Sequence, residues 1–230
     1  MTVAAVVLAA TPASALADAD GTPGARRIVD IAWSGGATPV VVCSFDPDGV
    51  VAAALANAEA ALVAPVAQER GPVGQIVNGI EAAVRLVSET DAALVWPARL
   101  AWVDAETVTQ LIEAHGTDRD TVLRPAYDGD AGFPVLLPIV HLAAFAALAA
   151  DRVPGELFDD LVAAGVPLAV IETGDPGVTH DVSVARADLP PYEGPPVPFD
   201  AHEHEWGAAA ADLADDVPPA GPSSIASVRP

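Results

Sequence analysis

Arg99 follows a short apolar run ending in Trp96-Pro97, and its guanidinium is a planar fork that can grip a phosphate through two parallel hydrogen bonds. Pairing with one of the many nearby acids serves it equally. Asp181, in His180-Asp181-Val182-Ser183, is a lone carboxylate that could bind a metal weakly or cap a turn. His202-Glu203-His204-Glu205 alternates imidazoles with carboxylates, a donor set for loosely held zinc or nickel, and Trp206 beside it is an aromatic able to dock in a partner's groove. Hydrolase chemistry finds no support, because no nucleophilic Ser or Cys comes with a positioned His. Cys43 closes the run Val40-Val41-Val42 and reads as a small core residue, and a single cysteine excludes an internal disulfide.

Charge narrows the partners. The chain carries 32 acidic residues against 10 basic ones, a formal charge of −22, and every basic residue is Arg. Nucleic acid and anionic membrane both need a cationic face, so neither is an expected partner. The absence of Lys removes a Schiff-base lysine and a lysine phosphate anchor. With 52% apolar residues and 5% aromatics, the core must be built from Ala, Val, Leu and Ile. No run reaches the roughly 18 apolar residues of a membrane span. Ala4 to Ala10 followed by Ala13-Ser14-Ala15 imitates a signal peptide, but no Arg precedes it and the apolar stretch is short. We read Val3 to Leu8 as a buried first strand and expect a cytoplasmic protein.

The elements that must position these residues alternate. Strand-like runs at Val3 to Leu8, Pro39 to Cys43, Ala61 to Val63, Ala92 to Val95, Val122 to Pro125 and Leu168 to Ile171 are separated by helical patterns. Those patterns lie at Gly24 to Ser34, Val50 to Asn57, Val73 to Val87, Ala105 to Ala114, Ile139 to Ala149 and Gly155 to Ala164. Asp104 is placed to cap the helix after it, and Gly116 and Gly165 to end helices. Such alternation predicts a three-layer α/β/α domain on a mostly parallel sheet over residues 1–189. Beyond it, Pro recurs among Asp, Glu, Ala and Ser, so residues 190–230 are expected to be an acidic, Pro-rich disordered tail, with a protein partner reached through it.

Four segments, taken in order, resemble the MobA-like nucleotidyltransferase family, whose members attach a nucleotide to a phosphorylated acceptor such as molybdopterin. They are Ala4-Ala5-Val6-Val7-Leu8-Ala9-Ala10-Thr11, Gly71-Pro72-Val73-Gly74-Gln75, the stretch from Ala93 to Asp104, and Arg124-Pro125-Ala126-Tyr127-Asp128-Gly129-Asp130-Ala131-Gly132-Phe133-Pro134. The resemblance covers about residues 3–189. It implies a nucleotide-diphospho-sugar transferase-like fold and a nucleotide or nucleotide-linked small molecule as ligand. It places Ala9, Ala10, Thr11, Gly74 and Gln75 against that nucleotide, and Tyr127, Gly132 and Phe133 on the acceptor side of the cleft. It also implies a magnesium ion in an active member, held by an Asp where this chain has Arg99 and by a pair of Asp residues where it has Asp181 and Ser183.

The departures are chemical. The family's first loop is rich in glycine so that N–H groups can approach a triphosphate, with Arg and Lys neutralising it. Here the loop Thr11-Pro12-Ala13-Ser14-Ala15-Leu16-Ala17-Asp18-Ala19-Asp20 has no glycine and no cation, and Pro12 removes a donor. Arg99 changes the charge at the metal position by two units. The expected function is that of a divergent family member with degraded metal-dependent catalysis, keeping a nucleotide-binding or regulatory role linked to molybdenum-cofactor metabolism. The alternatives are an active enzyme using Arg26, Arg27 or Arg99 as its cations, and an interaction module acting through the tail.

Overall fold

A computed structural model describes residues 1–195 of the 230-residue chain. The tail motif His202 to Trp206 and its expected partner or metal role lie outside the described residues. In chain order the elements are β1 (Thr2–Ala9), α1 (Pro12–Ala15), β2 (Asp18–Ala19), β3 (Thr22–Pro23), α2 (Gly24–Ser34), β4 (Val40–Ser44), α3 (Val50–Ala54), β5 (Ala60–Val63) and α4 (Gly71–Leu86). They continue with β6 (Thr90–Pro97), α5 (Ala105–Thr117), β7 (Val122–Tyr127), β8 (Asp130–Ala131), β9 (Val135–Pro138), α6 (Leu142–Ala146), α7 (Pro154–Ala163) and β10 (Leu168–Glu172).

Eight strands form one sheet in the order β10-β7-β9-β6-β1-β4-β5, with β8 paired to β7. The pairs β1/β4, β1/β6, β4/β5 and β7/β10 are parallel, whereas β9 is antiparallel to both β6 and β7. The expected mostly parallel sheet is therefore present.

The layers follow from side-chain alternation along the strands. Val3, Ala5, Val7 and Ala9 of β1 join Ile28, Val29 and Ala32 of α2 and Val108 and Leu111 of α5 in one apolar cluster. Ala4 and Val6 point the other way, joining Ile76 and Ile80 of α4, Phe145 of α6 and Leu157, Phe158 and Leu161 of α7. Because both faces are covered, β1 reads as an unbroken apolar run. Each such Val or Leu contributes about 1.5–3 kcal/mol on burial. Gly79 lies inside α4, where a glycine costs about 1 kcal/mol relative to Ala, because a Cβ there would collide with Val6 and Cys43 of the sheet. Burial pushes the Cys43 thiol up to about 12, so it is an inert core group.

Several elements differ from expectation. Val135–Pro138 is a fully buried antiparallel strand, where the sequence shows only an apolar run opening a helix at Ile139. That helix is a 3-10 turn at Ile139–His141 followed by the five-residue α6. The Val50 helix stops at Ala54, short of Asn57, which takes the left-handed conformation. Gly116 falls inside α5 instead of ending it, while Gly165, at φ 88°, follows α7 as expected. Contacts also continue past Leu189: Glu193 N–H donates to the Gly174 carbonyl at 3.2 Å, and the Tyr192 hydroxyl accepts from Gln110 at 3.3 Å.

Candidate functional site

The parallel strands all end on one edge of the sheet, so the loops after them form a single mouth. Ala98 N–H donates to the Leu8 carbonyl at 2.9 Å, so the loops after β1 and β6 leave side by side.

Ala9 is buried at the end of β1, and Ala10 and Thr11 are exposed. Thr11 then caps the one-turn helix α1: its Oγ1 accepts from Ser14 N–H at 3.1 Å, while Ser14 Oγ accepts from Thr11 N–H at 3.0 Å. This reciprocal box closes two donors, and the N–H groups of Ala15 and Leu16 go to the Thr11 and Pro12 carbonyls. A loop whose donors are already bonded to itself has few left for a phosphate. Downstream, Asp20 and Gly21, at φ 59° and 79°, make the two-residue turn between β2 and β3, where such positive values favour Asp and Gly.

Gly74 and Gln75 lie in the first turns of α4. Gln75 is engaged at both ends of its amide, accepting from Val66 N–H at 3.1 Å and donating to the Val66 carbonyl at 3.0 Å, which pins the preceding loop. A Cβ on Gly74 would collide with the Arg70 side chain.

At the third loop the guanidinium of Arg99 forms an ion pair with the Asp181 carboxylate, across a separation of 82 residues. Two indoles fix the loop around it. Trp96, fully buried, donates to the Leu100 carbonyl at 2.8 Å, and Trp102 donates to the carbonyls of Asp181 and Val184 at 3.2 and 3.0 Å. Val182 N–H completes the junction by donating to the Arg99 carbonyl at 2.9 Å. Partial burial raises the Asp181 carboxyl, but hydrogen bonds from Ser183 and the Arg99 charge outweigh this and hold it below the usual carboxylate range. A divalent ion beside Asp181 would face a guanidinium, and among the described residues no group of three or more His, Cys, Asp or Glu is placed to hold a metal. The residues present do not fit the magnesium that the resemblance implies.

The fourth loop meets the same segment. Phe133 N–H donates to the Val178 carbonyl at 2.9 Å, and at Gly132 a Cβ would collide with that carbonyl, so the approach requires glycine. Tyr127 meets His180 edge to face at 6.4 Å, and Phe133 packs against Phe158 at 6.2 Å. Arg99, Tyr127, Gly132 and Phe133 thus all meet one segment, residues 176–183, which carries Asp181, whereas Gly74 and Gln75 bond within their own loop.

Asp175, which the sequence reading passed over, anchors this segment. It is 1% exposed and accepts from Asp104 N–H and Thr107 Oγ1 at 2.7 Å each and from Gly177 N–H at 2.8 Å. Its signal was the Asp-Pro-Gly turn after a strand. Asp104 caps α5 as expected, accepting from Glu106 N–H at 3.0 Å.

This layered, mostly parallel sheet with its mouth at the strand ends is an α/β/α architecture of the kind that nucleotidyltransferases share. Solved structures bear this out at the level of fold. A nucleotidyl transferase from Methanothermobacter thermautotroptrophicus superposes with a TM-score of 0.62 at 19% identity, covering 74% of this chain and 87% of that one. A manganese complex of a Mycobacterium tuberculosis protein gives 0.56 at 17%, covering 75% and 89%. The 2-C-methyl-D-erythritol 4-phosphate cytidylyltransferase of Thermus thermophilus gives 0.59 at 18%, covering 81% and 98%. No curated protein matches the chain significantly in sequence. Residues 6–165 match the family model described as the MobA-like NTP transferase domain, and the chain belongs to that family.

Proposed function

We propose that this family member has lost efficient metal-dependent nucleotidyl transfer and keeps a nucleotide-binding or regulatory role, in the cytoplasm, within molybdenum-cofactor or other nucleotide-linked metabolism. The observation that carries the reading is the Arg99–Asp181 ion pair. A tethered guanidinium neutralises Asp181 where a metal-dependent relative needs carboxylates free for a cation. The closed turn at Thr11 supports the same reading, since it reduces the donors available to a triphosphate. Ala9, Ala10, Thr11, Gly74 and Gln75 remain the proposed nucleotide side of the mouth. Tyr127, Gly132 and Phe133 remain the acceptor side.

The test is a thermal-shift screen of wild type and Arg99→Asp against ATP, GTP and CTP, each with and without magnesium. For wild type we expect a rise with one nucleotide that does not depend on magnesium. For Arg99→Asp, which puts a second carboxylate beside Asp181, we expect a rise that requires magnesium, about 2.7 kcal/mol when the ligand is at 100 times its Kd. A magnesium-dependent rise in wild type, with turnover of the nucleotide, would overturn the reading. No rise with any nucleotide at millimolar concentration would remove its nucleotide-binding half.

A further inference from the structure

A pocket of about 290 Å³ lies on the α2 side of the sheet, between α2 and the start of α5, and neither Arg99 nor Asp181 lines it. Two arginines do. Arg27 donates from Nε to the Ala101 carbonyl at 2.9 Å and lies 5.3 Å from the centre of the Trp102 ring. Arg186 donates from one terminal nitrogen to the next carbonyl along, that of Trp102, at 2.9 Å. Two like charges are therefore anchored on consecutive carbonyls, each with N–H groups left over.

Among the described residues neither Arg27 nor Arg186 forms an ion pair, and unlike Arg70 and Arg85, which form none either, these two line one pocket. Two carboxylates, Asp30 and Asp104, line the pocket too, and each is partly engaged elsewhere. Both oxygens of Asp30 accept from Arg26 Nε at 3.0 Å, and Asp104 accepts from Glu106 N–H. The first turn of α5, entering the wall at Ala105, adds the positive end of a 13-residue helix.

We propose that this pocket binds a small oxyanion-bearing metabolite, a phosphate monoester or a carboxylate, gripped by Arg27 and Arg186. The volume falls just below the roughly 300–1,000 Å³ of small-molecule sites, which suits a compact anion and not a whole nucleotide. Trp102 couples the two sites of the molecule. Its ring lies beneath Arg27, its carbonyl holds Arg186, and its indole N–H holds Asp181.

That indole is also the reporter. Inorganic phosphate and, separately, succinate are titrated into the full chain at constant ionic strength, with the Trp102 indole N–H followed by two-dimensional NMR. The expected result is a saturable shift, weakened about tenfold or more in Arg186→Gln and in Arg27→Lys, and unchanged in Arg85→Gln on the opposite layer. Saturation by phosphate alone assigns a phosphate ester, and by succinate alone a carboxylate. A shift that stays linear with both anions, or wild-type affinity in both Arg186→Gln and Arg27→Lys, overturns the proposal. If Arg27→Lys lowers the thermal midpoint, Arg186→Gln, on a surface 3-10 turn, carries the test.

Discussion

Helix α5 connects two ends of the sheet that treat a buried polar group in opposite ways. At the mouth, Asp175 packs against the start of the helix at 1% exposure and accepts from three donors. At the far end, His115 is fully buried with, among the described residues, no hydrogen bond to either ring nitrogen, and Asp91 Oδ1 lies 3.8 Å from its Nε2. Burial is nearly the same, so burial alone decides nothing. What differs is the partners: at the mouth three donors hold the carboxylate and so fix the loop after it, while at the far end the ring packs without a hydrogen bond among the described residues.

The largest expected effect comes from breaking the mouth. Asp175→Ala leaves the N–H groups of Asp104 and Gly177 and the Thr107 hydroxyl without their acceptor. We expect a loss of about 3–5 kcal/mol, read as a lower midpoint in urea denaturation at unchanged slope. A loss under about 1 kcal/mol would mean that residues 176–183 are held by the Trp102 and Val182 hydrogen bonds without it.

The far end should answer to pH. Burial holds the His115 pKa below its ordinary 6.5, against the opposing pull of Asp91, with Arg119 lowering it further and Asp118 and Asp120 raising it. A folded-state pKa below the unfolded value means that the unfolded chain binds the proton first. Stability is then complete above about pH 6.5 and falls as pH drops below it, at up to about 1.4 kcal/mol per pH unit. In His115→Leu this part of the slope should vanish between pH 6.5 and 5. An unchanged slope would assign the acid sensitivity to other groups.

These ends were not equally legible. The strands β1, β4 and β6 announce themselves because burial on both faces demands apolar runs, β5, β7 and β10 by short runs between helical patterns, and Asp104 and Gly165 mark helix ends by local chemistry. Strand β9 escaped because its four residues, preceded by Pro134 and ending at Pro138, run straight into Ile139 and Val140, and only pairing with β6 and β7 makes them a strand. At the mouth, the absence of glycine and cation after β1 was plain in the sequence, as was Arg99 where the resemblance implies an Asp. That Arg99 would find Asp181 was not, since nothing local ties residues 82 apart. Asp175 and His115 are decided by tertiary partners in the same way.

The smallest expected effect sharpens what the mouth has lost. Ser14→Ala removes the hydroxyl that accepts from Thr11 N–H while leaving the Thr11 side chain as cap, so the cost should be about 0.5–1 kcal/mol in thermal or urea unfolding. The substitution returns one backbone donor to the loop proposed to face the nucleotide. If self-bonded donors alone weaken the grip on a triphosphate, calorimetric titration of Ser14→Ala should show tighter binding than wild type. We expect no gain, because Pro12 still offers no N–H, Asp18 and Asp20 still place two negative charges in the loop, and no cation lies nearer in sequence than Arg26. One freed N–H is a neutral donor, and it cannot offset the repulsion of a triphosphate by two carboxylates in a chain of charge −22.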